Sequence, residues 1–274
     1  MAATARPVTG DTVIDVTDLT MGYPGKKPLM EHLTFSVRRG DIFFITGGSG
    51  CGKSTLLSVL RGQLRPRGGT VTFSGEPFWP GSDEDRLAVR RRTGVLFQQG
   101  ALWSSMTLAQ NIAVPLELYT DLSQADIRRQ AELKLALAGL RGCEDYYPSE
   151  ISGGMRKRAA LARALALDPE ILFLDEPSAG LDPVSSKLLD DLIVELQEGF
   201  GTTFVIVSHE LASIYSIATN IIYLDAPSRS LKAWGAPDSL AADPATDRAV
   251  IEFLTRGRET TGGAGTANLP KGIR

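Results

Sequence analysis

Residues 151–177 read ISGGMRKRAALARALALDPEILFLDEP. Ser152, Gly153 and Gly154 head a helical run, where free backbone N–H groups and the helix dipole make a site for an anion. Ile171 to Leu174 is an apolar run of strand length. It ends in Asp175 and Glu176, paired acid groups at a sheet edge. Joined to a second phosphate loop, these features define a nucleotide hydrolase. If one chain cannot bring both phosphate devices onto one nucleotide, the chain must dimerise.

The second loop is present. Asp41 to Thr46 (DIFFIT) reads as a short buried strand, followed by GGSGCGKS at 47–54 and the apolar helical run TLLSVLRGQL. This is the strand, GxxxxGK(S/T), helix order that a phosphate loop requires. Gly47, Gly50 and Gly52 let the backbone turn so that its N–H groups converge on phosphate oxygens. Lys53 supplies positive charge to the β and γ phosphates, and Ser54 a hydroxyl to Mg2+. An unpaired carboxylate at the end of a buried strand is costly, so Asp175 is expected to face Mg2+, usually through water. If strand alternation continues, Glu176 points to the opposite side, placed to orient or deprotonate the attacking water. Cys51 precedes a helix N-terminus, where a thiol pKa tends to fall. Its modification by thiol reagents, prevented by ATP, is therefore expected.

The remaining sequence agrees with one large or two small domains in 274 residues. A hydrophobic fraction of 43% is enough for a sizeable core. The net charge of −3 offers no global attraction for nucleic acid. Arg90-Arg91-Arg92 and Arg156-Lys157-Arg158 read as solvated helix faces. No apolar run is long enough to span a bilayer, and MAATARPVTGDT lacks a signal-peptide core, which implies a cytosolic chain. Cys51 and Cys143 make neither a disulfide framework nor a metal cluster.

Residues 12–20, 32–38 and 70–74 alternate apolar and polar, as half-buried strands of an antiparallel layer do. Residues 75–85 are rich in Pro, Gly and acids and read as a loop. Helical patterns dominate 108–167. Strands at 171–174 and 203–207 around a helix at about 184–198 predict a parallel sheet with right-handed crossovers. Residues 220–224 and 231–234 read as a closing hairpin. The Gly- and Thr-rich tail from Gly257 reads as disordered.

In this order the segments resemble the ATP-binding subunit of an ABC transporter over about residues 12–255. GGSGCGKS is similar to Walker A, ISGGM to the signature motif and ILFLDEP to Walker B. Gln98 in VLFQQGALW is similar to the Q-loop glutamine, and Gln99 leaves a one-residue ambiguity. Ser178 to Asp182 is similar to the D-loop, His209 in VIVSHE to the switch histidine, and Tyr23 in MGYPGKK to the aromatic that stacks on adenine.

The resemblance implies an α/β P-loop NTPase (ABC ATPase) fold, with a mainly parallel core sheet, an antiparallel β layer and a helical subdomain inserted at about 99–167. Flexible termini are expected at 1–11 and 257–274. ATP would be held by Tyr23, Gly47, Gly48, Ser49, Gly50, Cys51, Gly52, Lys53, Ser54 and Thr55. Mg2+ would be held by Ser54, Gln98 and Asp175. Glu176, His209 and Gln98 would serve the chemistry. Ser152, Gly153, Gly154 and Met155 would act across a homodimer, the signature capping the partner's γ phosphate, and Asp182 would belong to the D-loop.

Met155 replaces the common signature glutamine, which removes an amide near the nucleotide. SGGM before a basic stretch, LFQQGALWSSMTLAQNIAVPL, RGQLRPRGGTV and DRAVIEFL are together similar to the MCE-associated, Mla-type lipid-transport ATPases. That branch implies ATP-driven movement of phospholipid or another hydrophobic lipid between bacterial membranes from the cytoplasmic face of the inner membrane. Inner-membrane permease subunits and an MCE lipid-carrying protein would be partners, with room for a small regulatory subunit and no role for nucleic acid. The alternatives are the ATPase of another ABC importer or exporter (amino acid, lipoprotein or drug) and a soluble non-transport ABC ATPase.

Overall fold

Chain segments of period two and segments that are apolar throughout separate into two different sheets. The computed structural model describes residues 11–79 and 82–261. β1 (Thr12–Met21), β2 (Met30–Arg38), β4 (Gly68–Phe73) and β5 (Glu76–Pro77) form an antiparallel sheet in the order β2-β1-β4-β5. Its register sets Val16 opposite Phe35 on one side and Val71 on the other. β3 (Ile42–Gly47), β6 (Thr93–Leu96), β7 (Ile171–Asp175), β8 (Thr203–Val207), β9 (Asn220–Asp225) and β10 (Ser230–Gly235) form the second sheet. Its order is β10-β9-β3-β8-β7-β6, parallel except for the antiparallel β9–β10 hairpin. Sequence expectation and structure agree on this mainly parallel core.

β3 and β8 are buried at every position because both faces of the sheet are covered. Phe43, Ile45, Phe173, Val205 and Val207 pack towards α1 (Lys53–Leu60) and the antiparallel sheet. The alternate residues Ile42, Phe44, Leu172, Leu174 and Phe204 pack into the helical side. Each such fully buried side chain contributes about 1.5–3 kcal/mol.

Three helices follow β6: α3 (Leu108–Tyr119), α4 (Gln124–Leu137) and α5 (Gly153–Ala164). Thr107 caps α3 in a reciprocal box with Gln110. Asn111, fully buried, ties the incoming loop down by bonding to the backbone of Trp103, Met106 and Thr107. α6 (Pro183–Phe200), α7 (Leu211–Ile217), α8 (Pro237–Ala242) and α9 (Arg248–Thr261) complete the described chain.

Two local expectations differ from the structure. Inside the expected loop at 75–85 lie β5 and the start of α2 (Asp83–Arg91), which Ser82 and Asp85 cap reciprocally. The charged sequence DEDRLAVRR hides the helical period, and the cap is its clearest signal. At the other end, α9 continues past Gly257 to Thr261, anchored by Val250 and Leu254, one turn apart and fully buried. The expected flexible ends at 1–10 and 262–274 lie outside the described residues.

Candidate nucleotide site

β3 delivers Gly47 and α1 begins at Lys53, so residues 47–52 form the turn between a buried strand and a helix N-terminus. Gly47, Gly50 and Gly52 take φ of 139°, 73° and 99°. A Cβ on Gly47 would lie 2.3 Å from the Leu224 carbonyl oxygen, so β9 itself excludes a side chain there. Gly52 caps α1 in the left-handed region with no side-chain bond, and the first turn carries no acidic residue. Its leading N–H groups are left to an anion. Lys53 Nζ arches back and donates to the carbonyls of Gly47 (2.9 Å) and Gly48 (3.0 Å).

Opposite this loop, Ser54 Oγ donates to Asp175 Oδ1 at 3.3 Å. Strand alternation would send Glu176 to the far side of the sheet, but the structure corrects that expectation. β7 ends at Asp175, and Glu176 turns at φ 45° with its N–H donating to Val207 O. The left-handed turn brings both carboxylates to the same cleft. Glu176 Oε1 meets His209 Nδ1 at 2.9 Å, while Oε2 is buried with no hydrogen-bond partner among the described residues.

Lys53, Ser54, Gln98, Asp175, Glu176 and His209 thus line one cleft of about 630 Å³, with Gly47, Gly48, Ser49 and Gly50 at its floor. Hydroxyl, amide and carboxylate oxygens suit a hard divalent cation. Gln98 lines this wall and Gln99 does not. Cys51, Gly52 and Thr55 stand behind it in the loop and helix. Cys51 is buried, and burial pushes its thiol pKa up. This reverses the expected fall, because removal from water outweighs the nearby Lys53 charge and backbone N–H groups.

Other expected site residues stand apart from the cleft. Tyr23 lies in the turn after β1, 51% exposed. Ser152 caps α5 by accepting from Met155 N, and Gly153 and Gly154 form the first turn; none of the three lines this cleft. Asp182 caps α6, accepting from the N–H groups of Val184 and Ser185, and the Ser185 hydroxyl holds its carboxyl below the usual range.

Two features escape sequence reading. From α9, Glu252, Phe253 and Arg256 complete one wall of the cleft, with Phe253 against Tyr223 at 5.3 Å between ring centres. The Val250–Leu254 spacing is the signal that locates this helix. Lys157, expected on a solvated face, is 7% exposed and bonds to the carbonyls of Gln98 and Glu176. A second, more apolar groove of about 560 Å³ runs between α2, β6 and α3, lined by Phe97, Trp103, Leu118 and Tyr119.

Residues 30–179 match the family described as ABC transporter, a stretch that takes in the loop, Gln98, the SGG turn and both carboxylates. The chain belongs to the ABC transporter family. It is an ABC ATPase subunit that binds ATP. The chain is 39% identical over 242 residues to the intermembrane phospholipid transport system ATP-binding protein MlaF of Haemophilus influenzae, covering 88% of this chain and 90% of that one. It is 41% identical over 208 residues to the probable ribonucleotide transport ATP-binding protein mkl of Mycobacterium tuberculosis, covering 76% of this chain and 58% of that one. A dimeric ATP-binding cassette, MJ0796, in a post-hydrolysis state with ADP and Pi superposes with a TM-score of 0.71 at 26% identity, covering 81% of this ABC ATPase and 98% of that chain.

Proposed function

We propose that this ABC ATPase works as a homodimer on the cytoplasmic face of a bacterial inner membrane and powers phospholipid movement between membranes. Its partners in this reading are permease subunits and an MCE lipid-carrying protein. The observation that carries the cargo is the likeness to MlaF over nearly the whole of both chains. The mycobacterial relative named for ribonucleotide transport favours a second cargo, but this chain spans little more than half of it.

In the proposed mechanism the loop N–H groups and Lys53 hold the phosphates, and Tyr23 stacks on adenine. Ser54, Asp175 and Gln98 would hold Mg2+, which neutralises phosphate charge when bound. Glu176 orients the attacking water and takes its proton, and His209, bonded to Oε1, fixes the carboxylate in place. Ser152, Gly153 and Gly154, with Met155, serve the partner's nucleotide. Their placement outside the chain's own cleft, and the dimeric cassette that resembles this chain, support that assignment. The α3–α5 portion acts as an inserted helical subdomain, and the apolar groove beside Gln98 receives the permease.

Two experiments test this. Glu176→Gln should abolish steady-state hydrolysis while retaining ATP in a closed dimer, and turnover unchanged from wild type would refute the base assignment. Affinity purification from membranes should recover a permease, an MCE protein and phospholipid. Recovery of a ribonucleotide- or amino-acid-binding protein instead would overturn the cargo.

A further inference from the structure

We propose that Lys157 is a positioning residue for ATP hydrolysis, through which the helix serving one nucleotide site holds the reacting loops of the other. Lys157 follows Ser152 on α5 by about a turn and a half. Its Nζ donates to the carbonyl of Gln98 and, at 3.4 Å, to that of Glu176. Those carbonyls belong to two different loops, one after β6 and one after β7, and both side chains line the cleft.

Glu176 reaches the cleft only through its left-handed turn. Its N–H is pinned by Val207 O and its carbonyl by Lys157, so the strained residue is braced on both sides. The Gln98 loop is gripped by the same helix again, since Arg163 donates to Gly100 O at 2.9 Å and Ala101 O at 2.7 Å. α5 therefore cannot shift without moving Gln98 and Glu176. A lysine suits the post because one compact ammonium offers three donors to converging carbonyls. Burial lowers its pKa, and the charges of Glu176 and Asp175 oppose that fall. The link between sites rests on the reading above that Ser152 to Gly154 contact the partner's nucleotide. Engagement there would pull α5, and α5 would draw Gln98 and Glu176 of its own cleft into place.

The test uses the full-length chain. Lys157→Met keeps the stem and removes the ammonium. Its kcat should fall about 10- to 100-fold, with ATP affinity for a fluorescent analogue within about threefold, and Lys157→Arg should restore most of the rate. A residue that only packs would move the melting temperature without this split between rate and affinity. A Lys157→Met kcat within about twofold of wild type overturns the proposal. If that variant does not fold, Lys157→Leu, which likewise carries no donor, is read by the same criteria.

Mixed dimers, with Glu176 intact in one protomer and Glu176→Gln in the other, separate the two ideas in single-turnover hydrolysis of prebound ATP. Lys157→Met should slow the reaction when placed with the intact Glu176 and not when placed opposite it. The reverse pattern overturns positioning. Ser152→Arg should inhibit from either protomer: from the opposite one by losing the contact to the reacting nucleotide, and from the one with intact Glu176 by releasing its α5. Inhibition only from the opposite protomer overturns the link between sites, and inhibition only from the protomer with intact Glu176 overturns the reading that the SGG turn serves the partner's nucleotide, while the Lys157 arm still decides positioning by itself.

Discussion

Replacing Asp190 by Asn should make the stability of this ATPase less sensitive to pH and greater at neutrality. Asp190 lies on α6, 8% exposed, and accepts from Ser213 Oγ of α7 at 2.7 Å. Burial pushes its carboxyl up to about 6 from 3.8, with Asp191 and Glu210 adding to the rise and the Ser213 bond and Lys187 opposing it. The folded chain thus binds this proton more tightly than the unfolded chain. The associated stability is fully present below the unfolded pKa and is lost as pH rises through the folded one. The whole span is about 3 kcal/mol, from roughly two pKa units at 1.36 kcal/mol each. Between pH 4.5 and 7.5 the part that remains to be lost is about 2 kcal/mol.

Asn retains an acceptor for Ser213 and has no charge to desolvate. Urea unfolding followed by tryptophan fluorescence, at several pH values in that range, should show the Asn variant gaining about 2 kcal/mol on wild type as pH rises. A constant offset from the altered hydrogen bond does not affect this slope. A stability difference that stays level across the range would refute the burial argument for Asp190.

Two further outcomes are expected. Gly47→Ala should weaken ATP binding by more than about tenfold in calorimetry, because its Cβ meets the Leu224 carbonyl at 2.3 Å and the loop must distort. Gly48→Ala, with open space around its Cβ, is the matched control, and equal affinities would contradict the steric reading. In the folded protein at neutral pH, Cys143 should react with a thiol reagent at least about tenfold faster than Cys51. The first is half-buried, and the second is enclosed with its thiolate disfavoured. Comparable rates would show that Cys51 is open to solvent.

Much of the fold was legible because its signals are local. The strand–loop–helix order at 41–64 and the apolar strand ending in Asp175 and Glu176 carry their geometry in residue type and spacing. The wholly apolar runs 42–45 and 203–207 announce a sheet covered on both faces. α2 was hidden because a charged, mostly exposed helix has little period to read. Lys157 was misread because arginines flank it on the same helix, and spacing along one helix does not say which other loops approach that face.

By itself the sequence determined the two phosphate devices, the parallel core and the resemblance to ABC ATPases. All of these follow from short-range periodicity and from backbone freedom at particular glycines. Only the tertiary structure decided that Glu176 leaves its strand in a left-handed turn to share Asp175's cleft, that α9 walls that cleft, and that Cys51 is sealed. It also decided that α5 grips both loops of its own site through Lys157 while its SGG turn is not part of that cleft's lining. Those outcomes depend on contacts between segments far apart in the chain, whose burial and bonding no local pattern encodes.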